Sequence, residues 1–155
     1  MKKSSPYLSK VLITDLQLTF DLINEKTARR WSLNPSEIKY TSHKTWLKIK
    51  LKKKRFYFWK LIKNSKCYGL VRIELIKKKY ELSYLISKKY RGKGLGSKMI
   101  IKAIDKFNKG KIKNILYAKS FIKNYASNKT LLNSGFKLLN KKKNVNIYVY
   151  KKYKN

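Results

Sequence analysis

The sequence predicts an α/β fold, a mixed layer of strands and helices. Three observations carry that expectation. Apolar residues recur at helical spacing in the first third of the chain and again around residues 94–107. Between them lie three strand-like stretches joined by short turns. A glycine-rich loop, Arg91-Gly92-Lys93-Gly94-Leu95-Gly96-Ser97-Lys98, then leads from the third stretch into the second helical region. With 155 residues, 43% of them apolar and 14% aromatic, the chain can bury a core. A single domain over residues 1–155 is expected.

Taken in order, Val11, Leu12 and Ile13 place a first strand over Lys10 to Thr14. Asp15 is suited to cap a helix running to about Glu25, with Leu16, Leu18, Leu22 and Ile23 at partial helical spacing. Thr27 to Trp31 adds a second helical turn, which Asn34-Pro35 breaks. Thr41 or Ser42 is expected to cap a further helix, with Trp46, Ile49 and Leu51 on one side. Phe56 to Ile62, Cys67 to Ile76 and Tyr80 to Ile86 then form an antiparallel meander, its first turn at Asn64-Ser65-Lys66. Gly94 to Phe107 is an amphipathic helix whose apolar side holds Leu95, Met99, Ile100, Ala103, Ile104 and Phe107. A strand over Ile112 to Ala118 and a short helix over Asn124 to Asn133 follow, with Gly135 placed for a left-handed cap. Phe136 to Leu139 and Val145 to Tyr150 close the chain as a hairpin.

Composition narrows the function classes. Cys67 is the only cysteine and His43 the only histidine, which excludes a disulfide framework and multi-histidine or cysteine-rich metal sites. No apolar run approaches the roughly 18 residues of a membrane span. A soluble cytoplasmic protein without a metal is expected. The net charge is +34, from 41 basic and 7 acidic residues. Such a field attracts any polyanion in a salt-dependent way. Only 5 of the cations are arginine, however, and base-edge or bidentate phosphate readout favours arginine. The lysines run along the whole chain, and Lys, Asn, Ile and Tyr are together abundant. Compositional drift and selection for anionic partners both account for that pattern.

The glycine-rich loop carries the chemistry. Glycine there lets the backbone approach a ligand and adopt positive φ. A helix opening just after it offers free N–H groups and a positive dipole end, suited to phosphate or pyrophosphate. Arg91, Lys93 and Lys98 add charge beside it. The spacing of Gly92, Gly94 and Gly96 matches neither the dinucleotide fingerprint nor the P-loop.

Arg91, Gly94 and Gly96, as R-x-x-G-x-G, resemble the acetyl-CoA motif of the GNAT superfamily of N-acetyltransferases. Glu81-Leu82-Ser83-Tyr84-Leu85-Ile86 resembles that family's fourth strand, and Asn124-Tyr125-Ala126-Ser127 with Ser134-Gly135-Phe136 resembles a downstream segment. The resemblance covers nearly the whole chain. It implies a mixed central sheet, flanked by helices, whose parallel fourth and fifth strands splay, with acetyl-CoA in the resulting V. Backbone groups of Leu85 and Ile86 would then meet the pantetheine arm, and the amides from Gly92 through Lys93, Gly94, Leu95 and Gly96 to Ser97 the pyrophosphate. Asn124 falls where the family often contacts pantetheine, although it equally suits a helix N-cap. Ser127 and Lys129 would lie near the same cofactor.

The implied reaction is direct attack of a neutral amine on the thioester in a ternary complex. Many members protonate the leaving thiolate with a tyrosine, and that position is Leu131 here. Glu81 is the leading candidate for the base, or else a carboxylate paired with a lysine; His43 is the second candidate. Ala28-Arg29-Arg30-Trp31-Ser32 and His43-Lys44-Thr45-Trp46-Leu47 further resemble members that acetylate UDP-linked 4-amino sugars of the pseudaminic-acid type. On that resemblance Trp31 and Trp46 would stack on a base or sugar, and Arg29 or Arg30 would pair with a diphosphate. Both tryptophans equally suit a core. A protein N-terminus, such as that of a ribosomal protein, is an alternative acceptor. A basic nucleic-acid binder is the alternative from another class. The oligomeric state is open, a homodimer included.

Overall fold

The computed structural model describes residues 5–109 and 115–151. Its centre is a seven-stranded sheet with order β1-β2-β3-β4-β5-β7-β6. The strands are β1 (Tyr7–Lys10), β2 (Phe56–Lys63), β3 (Lys66–Ile76), β4 (Lys79–Ile86), β5 (Leu116–Phe121), β6 (Lys137–Lys142) and β7 (Val145–Tyr150). Every neighbouring pair is antiparallel except β4 and β5. The helices are α1 (Leu16–Ile23), α2 (Lys26–Arg30), α3 (Tyr40–Leu51), α4 (Leu95–Asn108) and α5 (Tyr125–Asn133).

Strand alternation divides the core in two. Leu82 and Ile86 of β4, Val71 and Ile73 of β3 and Leu116 and Ala118 of β5 face α4 and α5, meeting Met99, Ile100, Ala103, Ile104, Phe107 and Leu131. Each large apolar side chain buried there contributes about 2 kcal/mol. On the opposite face Val11, Leu22, Leu47, Phe58 and Leu70 form a second cluster, joined by Trp46 and Leu85. That face carries the odd-numbered side chains of β4 and the even-numbered ones of β3, Glu81, Ser83, Arg72 and Glu74 among them.

The meander, α4 and the closing hairpin form as expected. Elsewhere there are corrections. The first strand lies earlier, at Tyr7–Lys10, because Leu12 and Ile13 are 57% and 44% exposed and Ile13–Asp15 is a 3₁₀ turn. Asp15 flanks α1 without a side-chain cap; its carboxylate accepts from Leu12 N–H at 2.8 Å and from Lys60 Nζ at 2.6 Å. Helix α3 begins at Tyr40, ahead of Thr41 and Ser42, and has no side-chain cap. Its buried stripe is His43 and Leu47, while Ile49 is exposed. The fifth strand runs Leu116–Phe121, and residues 112–114 of the expected strand lie outside the described residues. No helix among the described residues is long and apolar enough to cross a membrane.

Candidate active site at the splay of β4 and β5

The parallel pairing of β4 with β5 is short. Tyr80, Glu81 and Leu82 pair with Leu116, Tyr117 and Ala118, after which no registered pair follows. Both strands nevertheless continue, β4 to Ile86 and β5 to Phe121. The β5-facing edge of residues 83–86 is therefore left without a strand partner, and the two strands form the arms of a V. Leu85 and Ile86, the residues expected to meet an extended ligand arm, sit on this open arm.

Beyond the V, the chain turns through Lys88–Tyr90 into the glycine-rich loop and α4. Gly92 and Gly94 have φ of 74° and 66°, and a Cβ at either would touch nothing within 4 Å. The loop is therefore open as well as left-handed. No side chain caps α4, and among the described residues the N–H groups of Leu95, Gly96 and Ser97 meet no capping partner, which suits them to an anion. Gly96 has a different purpose: a Cβ there would lie 3.0 Å from Thr130 Cγ2, so glycine lets α4 press against α5. Lys93 and Lys98 are exposed and form no ion pair among the described residues. Arg91 instead folds back, its Nε donating to Ile86 O at 2.9 Å and its Nη2 lying 3.8 Å from Glu25 Oε2. Glu25 also accepts from Ser87 Oγ and Lys88 N–H, tying the start of the loop to the α1–α2 junction.

Helix α5 closes the other side of the V. Asn124 is its N-cap, with Oδ1 accepting from Ser127 N–H at 3.2 Å. The cap leaves its Nδ2 without a hydrogen bond among the described residues, so an amide donor stays available at the cap. Lys129 is exposed on the same helix. Leu131 is buried in the core and bears no proton. Sequence reasoning missed the residue that does: Tyr84 donates from its hydroxyl to Ser127 Oγ at 3.1 Å. Burial raises its phenol above the ordinary 10.0, partly offset by hydrogen bonds to Ser127 and Thr130.

The α1–α3 face of the sheet is exposed beside the V. Ser83 is exposed although it sits mid-strand in the centre of the sheet. Around it stand Arg72, its register partner on β3, and Glu81, whose carboxylate accepts from Lys119 Nζ at 3.0 and 3.1 Å. Trp31 packs 6.3 Å from Phe121 at the end of β5, with Arg30 5.2 Å above the Trp31 ring. Arg29 donates to the carbonyls of Ile23, Asn34 and Ser36, so it shapes the loop after α2. Trp46 is half-buried against Phe56 and Phe58, with His43 stacked on it. Among the described residues no three His, Cys, Asp or Glu groups gather to hold a metal. Burial pushes the Cys67 thiol up, which does not suit a nucleophile.

His43 is buried with Nε2 2.8 Å from Thr19 Oγ1. Since Thr19 Oγ1 donates to Leu16 O at 3.0 Å, Nε2 is the protonated nitrogen of a neutral ring. Burial, and then the charge of Arg72, hold its pKa below 6.5. The unfolded chain therefore takes up a proton that the folded chain resists. This contribution to stability is complete above pH 6.5 and is lost as pH falls below it, until the folded ring also protonates. The urea midpoint should drop between pH 7.5 and 5, and His43→Phe should shrink that drop. An equal drop in the variant would assign the titration elsewhere.

The sequence matches the profile of the acetyltransferase (GNAT) domain over residues 7–137. The chain belongs to the GNAT acetyltransferase family. The expected GNAT fold, acetyltransferase activity and acetyl-CoA donor stand with that membership. Solved structures agree on the fold. The aminoglycoside acetyltransferase AAC(6')-Ib in complex with coenzyme A and kanamycin aligns with a TM-score of 0.79 at 14% identity, covering 94% of this chain and 93% of that one. Spermidine N-acetyltransferase from Vibrio cholerae, with CoA and spermine, gives 0.79 at 14%, covering 93% and 92%. A ribosomal L7/L12 alpha-N-protein acetyltransferase with coenzyme A gives 0.80 at 15%, covering 96% and 94%. No curated protein sequence matches this GNAT chain.

Proposed function

We propose that this enzyme acetylates the primary amine of an anionic acceptor, a nucleotide-linked amino sugar. The observation that carries this reading is the exposure of Ser83 in the middle of the sheet, on the splayed arm of β4. The cations Arg72 and Lys119 stand on the same face, with Arg30 over Trp31 near the end of β5. Trp31 and Arg30 together offer a flat face and a charge for a base or diphosphate. Trp46 has His43 stacked on its ring and Arg72 over it, so it supports this face. A cationic polyamine or aminoglycoside would meet both this local charge and the +34 of the whole chain.

In this reading acetyl-CoA supplies an activated acetyl thioester, held by the loop amides, Lys93, Lys98 and Asn124. Ser97, Ser127 and Lys129 border the same site. Glu81, on the same face and oriented by Lys119, accepts the proton of the attacking amine; buried His43 is set aside for that role. The amine nitrogen forms a bond to the acetyl carbon, the carbon–sulfur bond breaks, and Tyr84 on the opposite face of the sheet gives its proton to the sulfur.

Two measurements test the reading. Acetyl-CoA near 100 times Kd should stabilise by about 2.7 kcal/mol, several degrees for this size, and ADP at equal concentration clearly less. Thiol release should then favour a UDP-linked amino sugar over the free amino sugar, spermidine and an L7/L12 N-terminal peptide by about 100-fold. Preference for the peptide or the polyamine sinks the acceptor assignment. Equal stabilisation by every polyanion, erased by salt, sinks the enzyme itself.

A further inference from the structure

Arg72 lies in the middle of β3, on the sheet face toward α1 and α3, opposite exposed Ser83 in the register with β4. Its guanidinium carbon is 5.2 Å from the Trp46 ring centroid, a cation–π contact. Its Nε is buried and makes no hydrogen bond, with Glu74 Oε1 3.5 Å away. None of its guanidinium nitrogens is hydrogen-bonded among the described residues, although a third of the side chain stays open. Buried arginines ordinarily satisfy this fork, since an unpaired charge in such a place is costly.

Glu74 neutralises it only in part. That carboxylate is also bonded by Lys50 Nζ, so one anion is shared by two cations. Arg29 adds further positive field at Arg72, and its own guanidinium donates to backbone carbonyls rather than to an acid. On the same face, Glu81 is matched by Lys119. This face of the sheet therefore keeps an excess of positive charge, and the guanidinium nitrogens of Arg72 have no hydrogen-bond partner among the described residues.

We infer that Arg72 is an oxyanion-binding residue of the acceptor site, taking a carboxylate or phosphate carried by the same molecule as the reactive amine. Arginine suits this use because its fork meets two oxygens at once. The inference rests on the proposed acetyltransferase reading and deepens it, giving one of the cations beside Ser83 a defined ligand. It also separates a specific anion site from the diffuse attraction of the surface lysines.

The test uses the full chain saturated with CoA, so that the loop before α4 is already filled. At 0.3 M salt, where the Debye length is shorter than 8 Å, UDP and glutarate are titrated separately by calorimetry. Saturable binding of at least one probe is expected, weakened tenfold or more in Arg72→Gln and less in Arg72→Lys. Lys141→Gln, on the exposed closing hairpin, should leave it unchanged. The stronger probe identifies the anion as phosphate or carboxylate. CoA affinity equal to wild type in Arg72→Gln shows that the variant folds. No saturable binding of either probe, or equal losses in Arg72→Gln and Lys141→Gln, overturns the site. Failure of the wild type to bind CoA overturns the underlying transferase reading as well, and so is distinguishable.

Discussion

Gly94→Glu is expected to abolish acetyl-CoA binding and leave the chain folded. At φ 66° a side chain is strained, which costs about 1–2 kcal/mol. The space around a Cβ is open, however, so no packing is lost. A carboxylate at the start of α4 also complements the helix dipole and returns about 0.3–1 kcal/mol. The net cost to the fold is therefore small. Binding is affected differently, because the new charge stands where the free amides of Leu95, Gly96 and Ser97 would receive a pyrophosphate. One unit charge opposing another at about 5 Å, with an effective dielectric near 20, costs roughly 3 kcal/mol. Affinity should fall more than 100-fold, measured by calorimetry, with the melting temperature of the free protein within a few degrees of wild type. Gly94→Asn, which tolerates positive φ without charge, should bind nearly as wild type. An intact affinity in Gly94→Glu would mean that the donor does not use this loop. On a chain of net charge +34, one added acid would scarcely alter diffuse polyanion binding, so the variant separates the two kinds of attraction.

The parts of this enzyme that were legible in the sequence are those whose signals are local. The glycine-rich loop, the amphipathic stripe of α4, the Asn124 cap and the left-handed Gly135 each announce themselves within a few residues. The meander reads from its turns, where Asn64 and Ser65 take positive φ. What escaped depends on pairing between distant segments. Arg72 and Glu74 look like ordinary strand charges until the register sets Arg72 against Ser83 and α3 brings Trp46 and Lys50 over them. Leu12 and Ile13 look like strand residues, yet nothing covers them, so the strand forms earlier. His43 passes for a candidate base because its pKa suits one, but the Thr19 hydroxyl and the Trp46 ring enclose it. Glu81 was legible as a candidate, and so was its pairing with a lysine; that the lysine is Lys119 of the neighbouring splayed strand was not.

Tyr84 belongs with the residues that escaped, and Tyr84→Phe is expected to lower kcat by about 100-fold, the lower end of what a positioned acid contributes. The phenol lies on the splayed part of β4, and its ring packs near Gly96, whose Cβ would stand 3.5 Å from Tyr84 Cε2. Its hydroxyl is directed by Ser127 in the first turn of α5, one helical turn before Leu131. A leucine there cannot protonate a leaving thiolate, so the proton must come from another group or from water. Because burial raises the phenol above 10.0, it stays protonated throughout the neutral range. Removing the hydroxyl deletes its hydrogen bonds to Ser127 and Thr130, each worth about 1 kcal/mol, and leaves the ring in place, so the chain should stay folded and acetyl-CoA affinity should change little. The pH profile distinguishes a proton donor from a structural prop. In the wild type kcat should stay level past pH 9 and fall only as the raised phenol ionises; in Tyr84→Phe the low rate should show no such alkaline fall. If Tyr84→Phe keeps kcat within threefold of wild type, water protonates the thiolate, and the hydroxyl serves only to hold α5 against β4.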